Sequence, residues 1–210
     1  MAVTGVVWVG YLVLHVAGNL QAFMGQAKIN AYSALLHGPA VELLWLVRAV
    51  LLVSLVLHVT MAFQLTRAAR AARPDDYKRR EPQVSTIASR TMRWGGVLIL
   101  IFVIFHVLHF TTRHVDPAGF ATTMDAAGRY DIYGNVVGSF RIWWVTVVYL
   151  VAVAIVGLHL WHGVWSFGRS LGVARPSDRP LRRRFAPWLA IAIWLGFSLV
   201  PIAVMAGVIR

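Results

Sequence analysis

The chain has 210 residues, 59% of them hydrophobic and 13% charged, with a mean hydropathy of +0.67. That balance excludes an ordinary soluble domain, and the lack of any cysteine excludes disulfides, thiolate metal sites and iron–sulfur ligation by this chain. The net charge of +12 lies mostly in two stretches between apolar segments, a distribution that points away from nucleic acid and toward membrane topology.

Apolar runs of roughly 18 residues or more with few charges predict transmembrane helices, and five are present. The first spans about 1–24, with Thr4, Tyr11, His15, Asn19 and Gln21 as its polar groups. It lacks a basic leader and an A-x-A cleavage site and is too long for a signal-peptide core, so it reads as a retained helix. The second spans about 40–66 and carries Glu42 and Arg48 near its start. The third, fourth and fifth span about 94–112, 142–168 and 185–209. The runs are too long, and alternate too little, for strands. The expected fold is an all-α integral membrane bundle of five transmembrane helices, forming a single membrane domain over 1–210. The segment 113–140 reads as a long loop that covers one end of the bundle.

The charges set the orientation. Arg67, Arg70, Arg73, Lys78, Arg79, Arg80, Arg90 and Arg93 fall between the second and third helices. Arg169, Arg175, Arg179, Arg182, Arg183 and Arg184 fall between the fourth and fifth. The other side has Lys28, Arg113, Arg129, Arg141 and Arg210. Fourteen cations against five is a strong positive-inside signal, which puts the N-terminus and both basic loops in the cytoplasm. The same loops offer a docking surface for a soluble partner or for anionic lipids.

Six histidines lie inside apolar helices: His15, His58, His106, His109, His159 and His162. Burying an ionisable group in hydrocarbon costs several kcal/mol, about 3 or more, unless it has a partner, and these helices offer almost no carboxylates. Depth sorts them. At a rise of roughly 1.5 Å per residue, His15 and His106 each lie roughly 20 Å from the cytoplasmic face. His58 and His159 lie roughly 24 and 27 Å from the outer face, near the inner one. The four thus form one outer and one inner pair, each member from a different helix, with the pairs roughly 15 Å apart along the membrane normal. Two facing imidazoles at one depth suit the axial positions of a haem iron, and helix bundles build cofactor sites this way. The pattern predicts two haems b stacked across the membrane. Gly10, Gly18, Gly95, Gly96, Gly157 and Gly163 fit either close approach of a flat macrocycle or plain helix packing. His109 and His162 match the two levels less well. A place behind a ligand or beside a quinone suits His109, and an interfacial place suits His162. Arg48 is a candidate for a haem propionate or for snorkelling to the interface. Glu42 and His37, in "LLHGPAVELLW", are candidates for quinone contact or proton exchange.

The stretches "MAVTGVVWVGYLVLHVAGNLQAF", "RWGGVLILIFVIFHVLHFTT" and "GLHLWHGVWSFGRSLG" resemble the cytochrome b membrane anchor of succinate:quinone oxidoreductases. The likeness is to the five-helix, single-chain, dihaem type of bacterial succinate:menaquinone oxidoreductases and fumarate reductases, and covers nearly the whole chain. The resemblance implies His15 and His106 as ligands of a distal haem, and His58 and His159 as ligands of a proximal one. It implies a flavoprotein subunit that oxidises succinate and an iron–sulfur subunit docked on the basic loops. Electrons then pass through the two haems to menaquinone or another quinone, in the bacterial cytoplasmic membrane, and the complex is a candidate for higher oligomers. The family's distal glutamate has no counterpart here, since Glu42 stands at a different spacing. The alternative is a haem-free anchor whose histidines serve quinone binding and protonation. A proton-coupled transporter would need intramembrane carboxylates and broken helices, features that this sequence does not offer. The cytochrome b of quinol:cytochrome c reductases places its two ligands far apart on each of two helices, unlike the spacing of three found here.

Overall fold

The computed structural model describes residues 1–72, 86–115, 118–119, 123–172 and 179–210, with the backbone alone for 179–183. Among the described residues, seven α-helices run in chain order: α1 Ala2–Leu20, α2 Gln26–His37, α3 Val41–Ala71, α4 Ile87–His106, α5 Ile132–Arg141, α6 Trp143–Ser170 and α7 Arg179–Met205. A 3-10 turn, Gln21–Met24, follows α1, and a π-helical turn, Val107–Thr111, follows α4. The described residues contain no β-strand beyond an isolated bridge between Met124 and Tyr130. Among the described residues, five helices are long and apolar enough to cross a membrane, as expected for an all-α multi-pass bundle. Arg73, Lys78, Arg79, Arg80 and Arg175, and the side chains of Arg179, Arg182 and Arg183, lie outside the described residues.

Several expected helix ends shift, among them the start of the third crossing and both ends of the last. The third crossing begins at Ile87 rather than near 94, because Thr86 and Ser89 form a reciprocal capping box with N–H···O distances of 3.0 and 3.2 Å. The last crossing begins at Arg179, continuing helix through a charged segment that hydropathy alone does not reach. It ends at Met205 because Gly207 adopts φ +71° and Val208 N–H returns to the Ala203 carbonyl at 2.8 Å, a Schellman stop.

Two helices lie in stretches read as loops. α2 occupies the connection between the first two crossings, and α5 occupies the end of 113–140. Both are too short and too polar for a membrane-span pattern. They are tied together by Asn30, which is fully buried. Its amide nitrogen donates to Asp125 Oδ2 and Asp131 Oδ1, both at 3.1 Å, and its carbonyl accepts from Tyr133 N–H at 3.0 Å. Asp131 also caps α5 through Gly134 N–H at 2.9 Å. Asp125 is clamped by Arg129 at 2.8 Å. These contacts close one end of the bundle, the capped end; the other, which Arg67, Arg70, Arg90, Arg93 and Arg169 approach, is the basic end.

The core follows that asymmetry. One cluster lies under the cap, where Ala22 and Ile29 meet Phe140, Val145, Tyr149, Val200 and Ile209. A smaller one, Leu160, Ala190 and Ile193, sits along the α6–α7 seam with Val9, Leu12 and Val16 against it. α6 packs most extensively on α7 and then on α4. α3 is different: Ser54 is its one buried residue, and Leu43, Leu46, Leu52 and Phe63 are exposed. An apolar face of that size is stable against lipid and unfavourable in water.

Candidate functional site: two histidine pairs between helices

The four histidines sorted by depth meet in the expected pairs. His15 of α1 and His106 of α4 have ring centroids 5.8 Å apart. His58 of α3 and His159 of α6 have theirs 6.2 Å apart. With metal–nitrogen bonds of roughly 2 Å and about 1 Å more from nitrogen to ring centre on each side, rings spaced this far apart would have room for one metal ion between them.

The helices that supply each pair stand apart. Neither α1 with α4 nor α3 with α6 is among the element pairs whose backbones pack closely, although α1 packs on α6 and α4 packs on α6. The imidazoles therefore reach toward one another across gaps between helices. The glycines divide accordingly. Gly18 lies against the Tyr32 ring, Gly95 against Ile155 and Gly157 against Trp194, so these three serve packing. A Cβ on Gly10 or Gly163 would meet nothing within 4 Å, and one on Gly96 would meet only the edge of His159 at 3.9 Å. Among the described residues, two buried side-chain nitrogens lack a hydrogen-bond partner, His159 Nδ1 and Trp8 Nε1. Such atoms cost about 1–3 kcal/mol each unless something between the helices satisfies them. Ring spacing and the separation of the helices fit a flat group held between two imidazoles at each level.

The pair at the basic end is braced by Thr4. Its hydroxyl donates to Met1 O at 2.8 Å and lies 3.0 Å from His58 Nδ1. A hydroxyl has one proton, so His58 Nδ1–H is the donor in the second contact and Nε2 keeps its lone pair. The pair toward the capped end is walled by aromatic rings. Tyr11 stacks on His15 at 5.2 Å, and Phe197 of α7 lies 5.6 Å from His15.

His109 joins neither pair. It is 1% exposed and sits in the π-helical turn. Its Nδ1 is 2.9 Å from the Tyr149 hydroxyl and its Nε2 is 3.0 Å from Ser139 Oγ. Tyr149 also lies 3.3 Å from His106 Nδ1. Arg48 stacks on the exposed Trp45 at 5.0 Å and interacts electrostatically with Tyr11, one turn before His15 in α1. His162 is partly exposed beside Trp165, at 6.4 Å. Glu42 is exposed in the first turn of α3, and His37 folds back on Ser33 O at 2.9 Å, so neither touches the two pairs.

A family model described as succinate dehydrogenase/fumarate reductase transmembrane subunit matches residues 66–199, more than half of the chain. The chain belongs to this family. It is a multi-pass membrane subunit of that class of complex and works alongside the complex's other subunits and quinone. No curated protein and no solved structure matched the chain. The matched region of this family member contains His106, His109, His159 and His162, and leaves His15 and His58 outside it.

The sequence reading assigns no role to Thr4 and does not single out Tyr149, Ser139 or Asn30. Tyr149 carried a usable signal. It lies about 12 Å into α6 counting from Arg141, close to the level that His106 reaches from the other side. A polar group in an apolar helix at the depth of a candidate ligand is a candidate partner for it. Asn30 carried no such signal, because its three partners come from a stretch about a hundred residues away.

Proposed function

We propose that this chain is the membrane anchor and electron-transfer cytochrome b of a succinate:quinone oxidoreductase, holding two haems b. The observation that carries the proposal is the pair of cross-helix imidazole contacts, at 5.8 and 6.2 Å, between helices whose backbones are not among the closely packed pairs. His58 and His159 hold the haem at the basic end, and His15 and His106 hold the one toward the capped end. When bound, the haems supply one-electron carriers with tunable potentials. The chain supplies the rest. Thr4 fixes the ring of His58. Tyr11 and Phe197 exclude water from His15. Arg48 would pair with a propionate of the haem held by His15.

In this reading the N-terminus and the basic end face the bacterial cytoplasm. The cations there dock the iron–sulfur subunit, which is fed by the flavoprotein subunit, and they contact anionic lipid. Succinate chemistry belongs to those partners, and the electron acceptor is menaquinone or a related quinone.

The test is haem stoichiometry of the purified chain by pyridine haemochrome, with reduced-minus-oxidised spectra. Two haems b per chain are expected. His58→Ala and His159→Ala should each remove the same haem and spare the other, and His15→Ala and His106→Ala should do the reverse. A folded chain without haem overturns the proposal and favours the haem-free anchor.

A further inference from the structure

His109 and Tyr149 are buried polar groups that the ligand pairs leave unused, and four hydrogen bonds that join Asn135, Ser139, His109, Tyr149 and His106 share a consistent direction. Ser139 Oγ donates its one proton to Asn135 Oδ1 at 3.2 Å. The contact at 3.0 Å between Ser139 Oγ and His109 Nε2 must then be made by an N–H of His109. A neutral imidazole with its proton on Nε2 has only a lone pair on Nδ1. That lone pair takes the Tyr149 O–H at 2.9 Å. With its proton committed, the Tyr149 oxygen can only accept in its contact at 3.3 Å with His106 Nδ1. His106 therefore carries its proton on Nδ1 and keeps the lone pair on Nε2.

The backbone serves this arrangement. The π-helical turn at Val107–Thr111 closes with Thr112 N–H on the Val107 carbonyl at 2.8 Å, and within it His109 reaches the same hydroxyl as His106. Ser139 and Asn135 come from α5, so the chain of bonds starts in the cap and ends at a ligand.

We propose that His109 and Tyr149 are positioning residues for the haem toward the capped end. Anchored by Ser139 and Asn135, they set the tautomer and donor strength of His106. This rests on the haem reading above. An N–H held by an acceptor makes an imidazole a stronger donor to iron, which favours the oxidised form. Loss of the acceptor should raise that haem's potential.

The test is a redox titration of the full-length chain, with each haem component assigned by its loss in His106→Ala or His58→Ala. Tyr149→Phe keeps the ring and removes the hydroxyl. It should retain both haems and raise the potential of the component lost in His106→Ala, leaving the other unchanged. His109→Leu should raise the same component, and Tyr149→Phe with His109→Leu should add little to either alone, because the two act through one path. Ser139→Ala, a milder change remote from the ligand, should move it the same way and serves if a bulkier variant does not fold. An unchanged potential in haem-replete Tyr149→Phe, or an equal shift of both haems, overturns this inference alone. An unmodified chain without haem overturns the haem reading and this inference with it.

Discussion

The Thr4 hydroxyl lies 3.0 Å from His58 Nδ1, 54 residues away in the chain, while its own proton goes to Met1 O. The contact brings the first turn of α1 onto the middle of α3, and Ser54 reinforces it by donating to Thr4 O at 3.3 Å. Tyr149 stands to His106 as Thr4 stands to His58. In both, a hydroxyl whose proton is spent elsewhere accepts Nδ1–H of one histidine in a pair.

Thr4→Val should expose that dependence. It keeps the shape and removes the oxygen, leaving His58 Nδ1–H without this acceptor. On the haem reading, the group held at the basic end should leave roughly 10-fold faster, the usual scale for losing a partner behind a metal-bound histidine. Haem transfer to an apo-globin reads the rate. Thr4→Ser should restore it. An unchanged rate in Thr4→Val would show that Thr4 does not hold the ring.

Asn30 is the keystone of the cap. Asn30→Leu leaves two carboxylates without a shared donor and Tyr133 N–H without an acceptor. The expected loss is about 1–3 kcal/mol, concentrated in α2 and α5. Hydrogen exchange in detergent should show faster exchange over 26–37 and 132–141, with α6 and α7 little changed. Uniform acceleration along the chain would contradict a local role.

The cap should also respond to acid. Backbone N–H donation from Arg129, with further bonds from its guanidinium, Asn30 and Ala127, holds the Asp125 carboxyl well below the usual carboxylate range. Burial pushes Asp131 up, but hydrogen bonds from Gly134, Asn30 and Gln26 outweigh it, and its pKa is also lowered. Both groups bind protons less readily folded than unfolded. Their contribution is therefore complete above the unfolded value of about 4 and is lost as pH falls through the lower folded values. Thermal midpoints should be flat from neutral pH to about 4 and fall below it. Asp125→Asn should flatten that fall, and an unaltered acid profile in that variant would exclude Asp125 as its source.

Gly196 sets the approach of α7 to α1 beside His15. A Cβ there would lie 2.5 Å from Val16 Cγ1, so one of the two must shift. Val16 is β-branched and cannot swing away inside a helix. Gly196→Ala should destabilise by roughly 1–2 kcal/mol, the overpacking loss being partly offset by better helix propensity. With Val16→Ala in place the sign should reverse, because the clash is gone and the propensity gain remains. Thermal unfolding of the two pairs in detergent measures this, and additive effects would refute the contact.

The sequence alone determined the features set by period, hydropathy and depth. Length and apolar content specified five crossings, because hydrocarbon demands long internally bonded helices. Counting residues along a helix of constant rise brought His15 level with His106 and His58 level with His159 before any contact was known. Tertiary structure decided what depth cannot express. Depth says nothing about azimuth, so only packing could show that α1 and α4, or α3 and α6, face each other across gaps. Depth also placed His109 and His106 within one turn. Ring direction, the π-helical turn and a hydroxyl from α6 separated them into a residue facing His15 and one that grips Tyr149. The cap was illegible for a related reason: α2 and α5 are short and polar, and what stabilises them is a buried Asn30 whose partners are distant in sequence and adjacent only once the chain has folded.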